Sequence, residues 1–171
     1  MLPEVRVHPM PEIRLRPMTG EEFAQYRSRL VTGYAAEHVR AGDWSLAEAE
    51  TLASEETDRL LPGGADSPGM LLRAAETLEG EPAGIIWIAL EHRPGSGQGE
   101  WIYDIEVAEQ FREKGYGRVL LEAGEREAAG RGVAALGLNV FGSNTVARHL
   151  YEGSGYEITT LQMRKHLASP A

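Results

Sequence analysis

The stretch REKGYGR, residues 112–118, places two glycines among three cations where an apolar strand pattern gives way to a helix pattern. WIYDIEV (101–107) precedes it, and VLLEAGEREAA (119–129), with apolar residues on one face, follows it. A glycine-rich turn that opens a helix leaves amide N–H groups unpaired, and the helix dipole adds positive potential there. The stretch therefore predicts an anion site, and the alternative is a plain tight turn with a solvated cationic face.

Two well-known phosphate motifs do not fit this turn. A dinucleotide fingerprint needs a third glycine where the chain has Leu120, and a nucleotide-triphosphate loop needs Gly-Lys-Ser/Thr, which does not occur. An anion site at this turn would belong to neither class.

Strand and helix patterns also occur on both sides of the 112–118 turn. Two capping-box spacings, Thr19 with Glu22 and Ser45 with Glu48, mark the starts of two helices. The predicted elements are a strand at 12–18, helices at 19–40 and 45–61, strands at 70–78, 83–92 and 99–107, a helix at 116–129, a strand at 133–140, a short helix capped by Ser143 or Asn144, and a closing strand at 156–167. This order predicts a mixed α/β (α+β) fold, with one parallel β-α-β crossover and helices on both faces of the sheet. We expect one domain at 12–171 after a tail at 1–11.

Composition excludes several classes of protein. The 171 residues carry a net charge of −9, which argues against a nucleic-acid partner, and they contain no cysteine, which excludes disulfides, thiolate metal sites and a cysteine nucleophile. GIIWIAL (84–90) is too short to span a membrane, and the N-terminus lacks the apolar run of a secretory signal, so we expect a cytoplasmic protein. The five histidines have no metal-ligand spacing; we therefore predict no metal site and expect each histidine at the surface.

Two segments carry a resemblance to a known family. Arg112-x-x-Gly115-x-Gly117, directly after a strand and before a helix, resembles the acetyl-CoA pyrophosphate motif of the GNAT superfamily of N-acetyltransferases. NVFGSNTVARHLYEGSGY (139–156) is similar to the later segment of that family, which has an asparagine at a helix start and a tyrosine before a glycine-rich helix end. The resemblance covers roughly residues 12–167 and implies a GNAT-like, mostly antiparallel sheet of about six to seven strands.

The resemblance also implies roles for individual residues. The amides of the turn would hold the pyrophosphate, two strand residues would pair their backbone with the pantetheine arm, and two asparagines would hydrogen-bond to that arm. The implied coenzyme-binding residues are Ile105, Val107, Arg112, Glu113, Lys114, Gly115, Tyr116, Gly117, Arg118, Asn139 and Asn144. Asn144 is equally well placed to be an ordinary helix cap.

Acetyl transfer to an amine needs a base, because an amine with a pKa of about 10.4 is only about one part in a thousand neutral near pH 7. Strand alternation places one set of side chains, Glu100, Ile102, Asp104 and Glu106, on one face, and the other set, Trp101, Tyr103, Ile105 and Val107, on the opposite face. Glu106 and Asp104 are the candidate bases, acting directly or through water; binding a cationic substrate or simply facing solvent are the alternatives. The resemblance implies that Tyr151 protonates the coenzyme thiolate, although such a tyrosine is also typical of a core. A backbone N–H near Val107 could stabilise the oxyanion.

We therefore predict an acetyl-CoA-dependent N-acetyltransferase, with acetyl-CoA as co-substrate and no metal, acting by direct attack of a primary amine in a ternary complex. The alternatives are a non-catalytic acyl-CoA-binding sensor or accessory module and a purely structural protein. The expected acceptor is a small-molecule or peptide amine. No nucleic acid or membrane partner is expected, and a homodimer is the oligomer kept open.

Overall fold

The computed structural model describes residues 10–91, 99–163 and 165. It divides into two compact units, residues 1–139 and 140–171, which are described separately below. The predicted tail at 1–11 and single domain at 12–171 stay predictions. Residues 1–9 and 92–98, most of the tail and most of the loop before the fourth sheet strand, lie outside the described residues.

The first unit contains one sheet and three helices within its described residues. Its elements are β1 (Ile13–Pro17), α1 (Gly20–Ala41), α2 (Ala49–Leu60), β2 (Met70–Thr77), β3 (Pro82–Ala89), β4 (Trp101–Val107), α3 (Tyr116–Ala129) and β5 (Gly137–Leu138). The described strands are ordered β1-β2-β3-β4-β5, and each pair is antiparallel except the parallel pair β4–β5. The predicted mixed sheet with one β-α-β crossover is confirmed.

Local signals set the ends of α1. Thr19 accepts a hydrogen bond from the Glu22 amide at 3.2 Å, and the Glu22 carboxylate accepts one from the Thr19 amide at 2.8 Å, which forms the predicted capping box. Gly42 ends the helix in the left-handed conformation. The second predicted box is wrong, because the Ser45 hydroxyl donates to the Glu48 carboxylate and no side chain caps α2, which begins at Ala49.

The two faces of the sheet pack against different helices. On one face, Tyr26 of α1 lies in an apolar cluster with Leu72 and Trp87 of the sheet. On the other, Gly124 of α3 approaches the sheet so closely that a Cβ would collide with the Ile86 side chain. The prediction of helices on both faces is therefore confirmed. α1 covers one face of the sheet, and α3 covers the other.

The strand count was overestimated. The described residues form five strands rather than six to seven, because the predicted strand 133–140 shrinks to Gly137–Leu138 and residues 156–163 form no strand. Gly137 lies against the Trp101 indole, and β5 pairs with Trp101 and Ile102 only, just before an irregularity in β4. Period-two patterning cannot make a strand without a partner edge, and the apolar residues Ile158, Leu161 and Met163 are all exposed.

The second unit, in its described part, consists of α4 (Thr145–Glu152) followed by extended chain. Asn144 caps α4, and the helix ends at Gly153, as the sequence predicts. Tyr151 is buried, and its ring contacts the Tyr156 ring with centroids 5.7 Å apart.

Candidate active site

The turn that follows β4 has an unusual backbone. A short 3-10 turn at Glu109–Phe111 leads into Arg112, after which Glu113 has φ +59° and Gly115 has φ +86°. Left-handed conformations cost a residue with a side chain roughly 1–2 kcal/mol, whereas glycine adopts them freely. Gly115 is therefore required by the geometry of the turn, and Gly117 lies in the first turn of α3.

The N-terminus of α3 carries no side-chain cap and no acidic residue in its first turn. This differs from α1, whose first turn is capped by Thr19 and carries Glu21 and Glu22. Because the first amides of a helix have no intrahelical acceptor, the N–H groups of residues 115–117 lack helical partners. Such a helix start favours an external anion through its amides and its dipole.

Two of the three cations of the turn fold back over β4 and the 3-10 turn. Arg112 Nε donates to the Val107 carbonyl at 3.1 Å, and Lys114 Nζ donates to the Gln110 carbonyl at 2.7 Å. Both residues are exposed, and Arg118 is half-buried. The Tyr116 ring packs on Phe111 with centroids 4.6 Å apart, so its side chain anchors the helix start. The predicted coenzyme residues 112–118 thus form one continuous cationic turn.

The edge of β4 presents backbone groups away from β3. Ala108 N–H donates to the Ala83 carbonyl at 2.9 Å, and Val107 lies opposite Gly84 in the register. Because an antiparallel ladder alternates the direction of successive residues, Val107 and Ile105 turn their own N–H and C=O groups toward the opposite edge. The bond from Arg112 to the Val107 carbonyl fits that direction.

Within the described residues, β5 pairs with β4 only at Trp101 and Ile102. The outward backbone groups of Ile105 and Val107 lie beyond the last of these pairs. Asn139 follows β5 directly and is exposed. The first unit therefore brings together a stretch of β4 edge that pairs with no described strand and the uncapped start of α3, which are joined by the 112–118 turn.

A β-bulge in β4 corrects the predicted faces. Trp87 pairs with Asp104 and Ile88 with Ile102, so Tyr103 has no partner in the register. Tyr103 stacks on Trp87 with centroids 4.6 Å apart, on the face covered by α1. The bulge thus places Tyr103 and Asp104 on the same face, and the simple alternation that grouped Asp104 with Ile102 is wrong.

Both predicted carboxylates interact with α1 on this face. Tyr26 Oη donates to Asp104 Oδ2 at 2.9 Å. Glu106 Oε2 lies 3.6 Å from Arg29 Nη2, and the Glu106 and Arg29 side chains are 41% and 53% exposed. Asp104 is therefore the enclosed carboxylate and Glu106 the solvent-facing one, whose ion pair contributes little energy because water screens it.

The surroundings of Asp104 raise the pKa of its carboxyl. Burial raises the pKa of Asp104 above its ordinary value of 3.8, and the Glu106 charge acts in the same direction. Hydrogen bonds from Tyr26 and from the Ile105 backbone, and the Arg29 charge, oppose that rise. Burial and the Asp104 charge raise the pKa of Tyr26, so its phenol stays protonated and acts as the donor. A carboxylate with a raised pKa is a better proton acceptor near neutral pH.

The residues predicted from the later segment lie in the second unit. Asn144 Oδ1 accepts from the Ala147 amide at 3.1 Å, which is the helix-cap alternative, and its coenzyme role stays a prediction. Tyr151 lies in the last turn of α4, and its role as an acid also stays a prediction.

Sequence reasoning missed Tyr26 and Arg29. Both lie on α1, and no local motif signals that either meets β4. Trp87 is a core residue at 3% exposure, with its indole N–H against the Met70 sulfur at 3.3 Å. Of the histidines expected at the surface, His149 is exposed, and His38 is half-buried and stacked on Trp44 with centroids 3.9 Å apart; His8, His92 and His166 lie outside the described residues.

Within residues 10–91, 99–163 and 165, no three His, Asp or Glu side chains gather in a way that could hold a metal ion. No helix among those residues has the length and apolar character needed to cross a membrane.

Comparison with known proteins places the chain in a family. The sequence model of the acetyltransferase (GNAT) family matches residues 34–156. The uncharacterized N-acetyltransferase YycN of Bacillus subtilis (strain 168) is 37% identical over 156 residues, 91% of this chain and 99% of that protein. The crystal structure of YycN is similar with a TM-score of 0.80 and 35% identity, covering 92% of this chain and 100% of that one.

Two further similarities are to a curated acetyltransferase and to a solved structure. A mycothiol acetyltransferase of Propionibacterium freudenreichii is 31% identical over 119 residues, 70% of this chain but 37% of that protein. The PaiA N-acetyltransferase of Thermoplasma acidophilum, solved in complex with coenzyme A, shares the fold alone, with a TM-score of 0.59, 18% identity and coverage of 88% of this chain and 93% of that one. With the family model matching most of the chain, this protein belongs to the acetyltransferase (GNAT) family and is an N-acetyltransferase of the GNAT type.

Proposed function

We propose that the protein transfers the acetyl group of acetyl-CoA to a primary amine by direct attack in a ternary complex. The observation that carries the proposal is that β4 is associated with two functional features. The turn after β4 leads into the uncapped, cationic start of α3, and the face of β4 toward α1 bears two carboxylates. Family membership supports the choice of acetyl-CoA, since the GNAT family uses that coenzyme.

The residues of the 112–118 turn fit a pyrophosphate. The N–H groups of residues 115–117 lie at the uncapped start of α3, Gly115 leaves the approach free of a Cβ, and the cations add positive charge. In this proposal Ile105 and Val107 pair their outward backbone groups with the pantetheine arm, and Asn139 and Asn144 hydrogen-bond to it. Acetyl-CoA supplies the activated thioester carbonyl.

Asp104 and Glu106 serve the acceptor in this proposal. Both carry negative charge on the α1 face of β4, which attracts a cationic amine. Asp104, whose pKa burial raises, accepts the proton of the ammonium group directly or through water, and Glu106 helps to bind the amine. A backbone N–H near Val107 stabilises the negative charge that develops on the carbonyl oxygen. Tyr151 donates a proton to the leaving thiolate.

The acceptor class follows from this chemistry only to the level of an amine, of a small molecule or of a peptide. The similarity to a mycothiol acetyltransferase adds the acceptor of that enzyme to the amines that merit testing. No feature of the described residues favours the alternative of a non-catalytic sensor.

The test is calorimetric titration with acetyl-CoA and with free CoA, followed by thiol-release assays over a panel of amines. We expect micromolar coenzyme binding, and thiol release that depends on an amine and falls in Asp104→Asn. Absence of binding at millimolar coenzyme would refute the coenzyme site. Binding without thiol release for any amine would instead favour the sensor.

A further inference from the structure

The contact between Tyr26 and Asp104 joins the α1 core to the candidate active site. Tyr26 is 1% exposed, and its ring lies in a cluster with Met18, Leu72 and Trp87. Its hydroxyl donates to Asp104 Oδ2 at 2.9 Å, across 78 residues of sequence. Because the Tyr26 ring is packed among these side chains, its orientation is fixed. The direction in which the Tyr26 hydroxyl donates is therefore fixed as well.

The groups facing Asp104 distinguish this contact from an ordinary buried hydrogen bond. Glu106 on its own strand and Arg29 on α1 act on it through their charges. Tyr26 is the packed side chain that grips one carboxylate oxygen. An ionised carboxylate offers two oxygens with several acceptor sites, so the bond from Tyr26 uses only part of its acceptor capacity.

We infer that Tyr26 is a positioning residue, and this inference rests on the proposed function. It holds Asp104 through Oδ2 and keeps the carboxylate oriented to take a proton from the acceptor amine. The proton passes from the ammonium nitrogen to Asp104, and the free amine attacks the thioester carbonyl to form the C–N bond. The C–S bond then breaks and coenzyme A leaves as the thiol, and the proton lost by the attacking nitrogen balances the one that the thiolate gains. Tyr26 keeps its own proton throughout. It acts through Asp104 and does not touch the substrate.

The decisive variant is Tyr26→Phe, which removes the hydroxyl and keeps the packed ring. Tyr34→Phe is the matched control, since Tyr34 lies on the same helix and its hydroxyl is directed to Glu56 of α2 at 3.4 Å. We expect Tyr26→Phe to lower kcat/KM at least about tenfold on the acid side of the pH profile and to shift that limb to higher pH, because a hydrogen bond that favours the charged carboxylate is lost. Tyr34→Phe leaves the profile unchanged.

A second readout does not need turnover. Carbon-13 NMR of labelled aspartate carboxyls, with the Asp104 signal assigned from Asp104→Asn, follows the titration of Asp104 directly. We expect its midpoint to move to higher pH in Tyr26→Phe and to stay unchanged in Tyr34→Phe. An unchanged midpoint in a folded Tyr26→Phe protein would overturn the inference, even if no acceptor had been found.

A double-mutant cycle separates positioning from simple structural support. If Tyr26 acts through Asp104, then Tyr26→Phe adds almost nothing to the loss of activity already caused by Asp104→Asn. Additive losses, or an unchanged pH profile in an active Tyr26→Phe enzyme, would overturn the inference while leaving the acetyltransferase intact. Failure of the wild-type protein to acetylate any amine would identify the proposed function itself as wrong.

Discussion

Gly115→Ala offers the sharpest test of the 112–118 turn. Gly115 has φ +86° and ψ −6°, so an alanine there costs roughly 1–2 kcal/mol of backbone strain. Space is not the obstacle, because a Cβ would lie 3.4 Å from the nearest atom, Pro11 Cδ, which is an ordinary contact. In a protein of this size each kcal/mol lowers Tm by about 2–4 °C, so we expect a loss of about 2–8 °C.

The effect on coenzyme binding is separable from the effect on stability. If the strained turn relaxes, at least one N–H of residues 115–117 leaves the array that we propose binds the pyrophosphate. A hydrogen bond to a charged group contributes about 1.5–3 kcal/mol, which corresponds to a rise in Kd for acetyl-CoA of about 10- to 150-fold. Isothermal titration calorimetry measures that rise, and differential scanning calorimetry measures Tm.

Gly42→Ala is the matched control. Gly42 ends α1 with φ +79°, and no atom lies within 4 Å of the position of its Cβ, so alanine there imposes a similar backbone strain. We expect a comparable fall in Tm and an unchanged Kd. If Gly115→Ala bound acetyl-CoA within about twofold of wild type, the amides of the turn would not hold the pyrophosphate, and the proposed coenzyme site would be refuted.

Three further predictions concern ionisable groups. Because burial raises the pKa of Asp104 above its ordinary value of 3.8, ionisation of this carboxyl destabilises the fold as pH rises. Asp104→Asn should therefore raise Tm at pH 7 and lose that gain below about pH 3.8, which scanning calorimetry across pH measures. The same variant should lose activity in the thiol-release assay. The hydrogen bond from Arg16 lowers the pKa of Glu22 to about 2, and its stabilising effect is therefore present above 4.5 and disappears as pH falls toward 2. Since both side chains are a third exposed, solvent screening reduces this effect, and Glu22→Gln should cost about 1 kcal/mol in urea unfolding at pH 7 and progressively less in acid. Tyr151→Phe should lower kcat at least about tenfold with unchanged Kd for acetyl-CoA, and unchanged turnover would remove its role as the acid.

Local signals in the sequence predict local structure well in this chain. The Thr19–Glu22 box starts α1 because the donors and acceptors that satisfy each other lie three residues apart. The bounds of α3, 116–129, are likewise confirmed, since Gly115 and Gly130 flank it. The second box fails because the Ser45 hydroxyl finds the Glu48 side chain instead of a backbone amide, an outcome that spacing alone does not distinguish.

The candidate site depends on contacts that spacing cannot encode. WIYDIEV reads as a regular strand, yet Tyr103 is skipped in the pairing with β3 because its ring stacks on Trp87. The partner of Asp104 lies 78 residues away on α1, where Tyr26 has the spacing of any core residue. Both features arise from packing between elements, and the sequence pattern could name Asp104 but not its surroundings.

The bulge at Tyr103 connects these observations, because it sets the phase of β4. Ile102 faces the α3 side with Ile88, and without an extra residue Asp104 would follow it into that apolar layer, where an unpaired carboxylate is costly. With the bulge, Asp104 and Glu106 face α1, while Ile105 and Val107 keep their backbone groups on the open edge. One strand can then serve both halves of the proposed reaction, with its edge bonding the coenzyme arm and its α1 face bearing the base. Changes that disturb the stacking of Tyr103 on Trp87 should therefore impair proton transfer more than coenzyme binding.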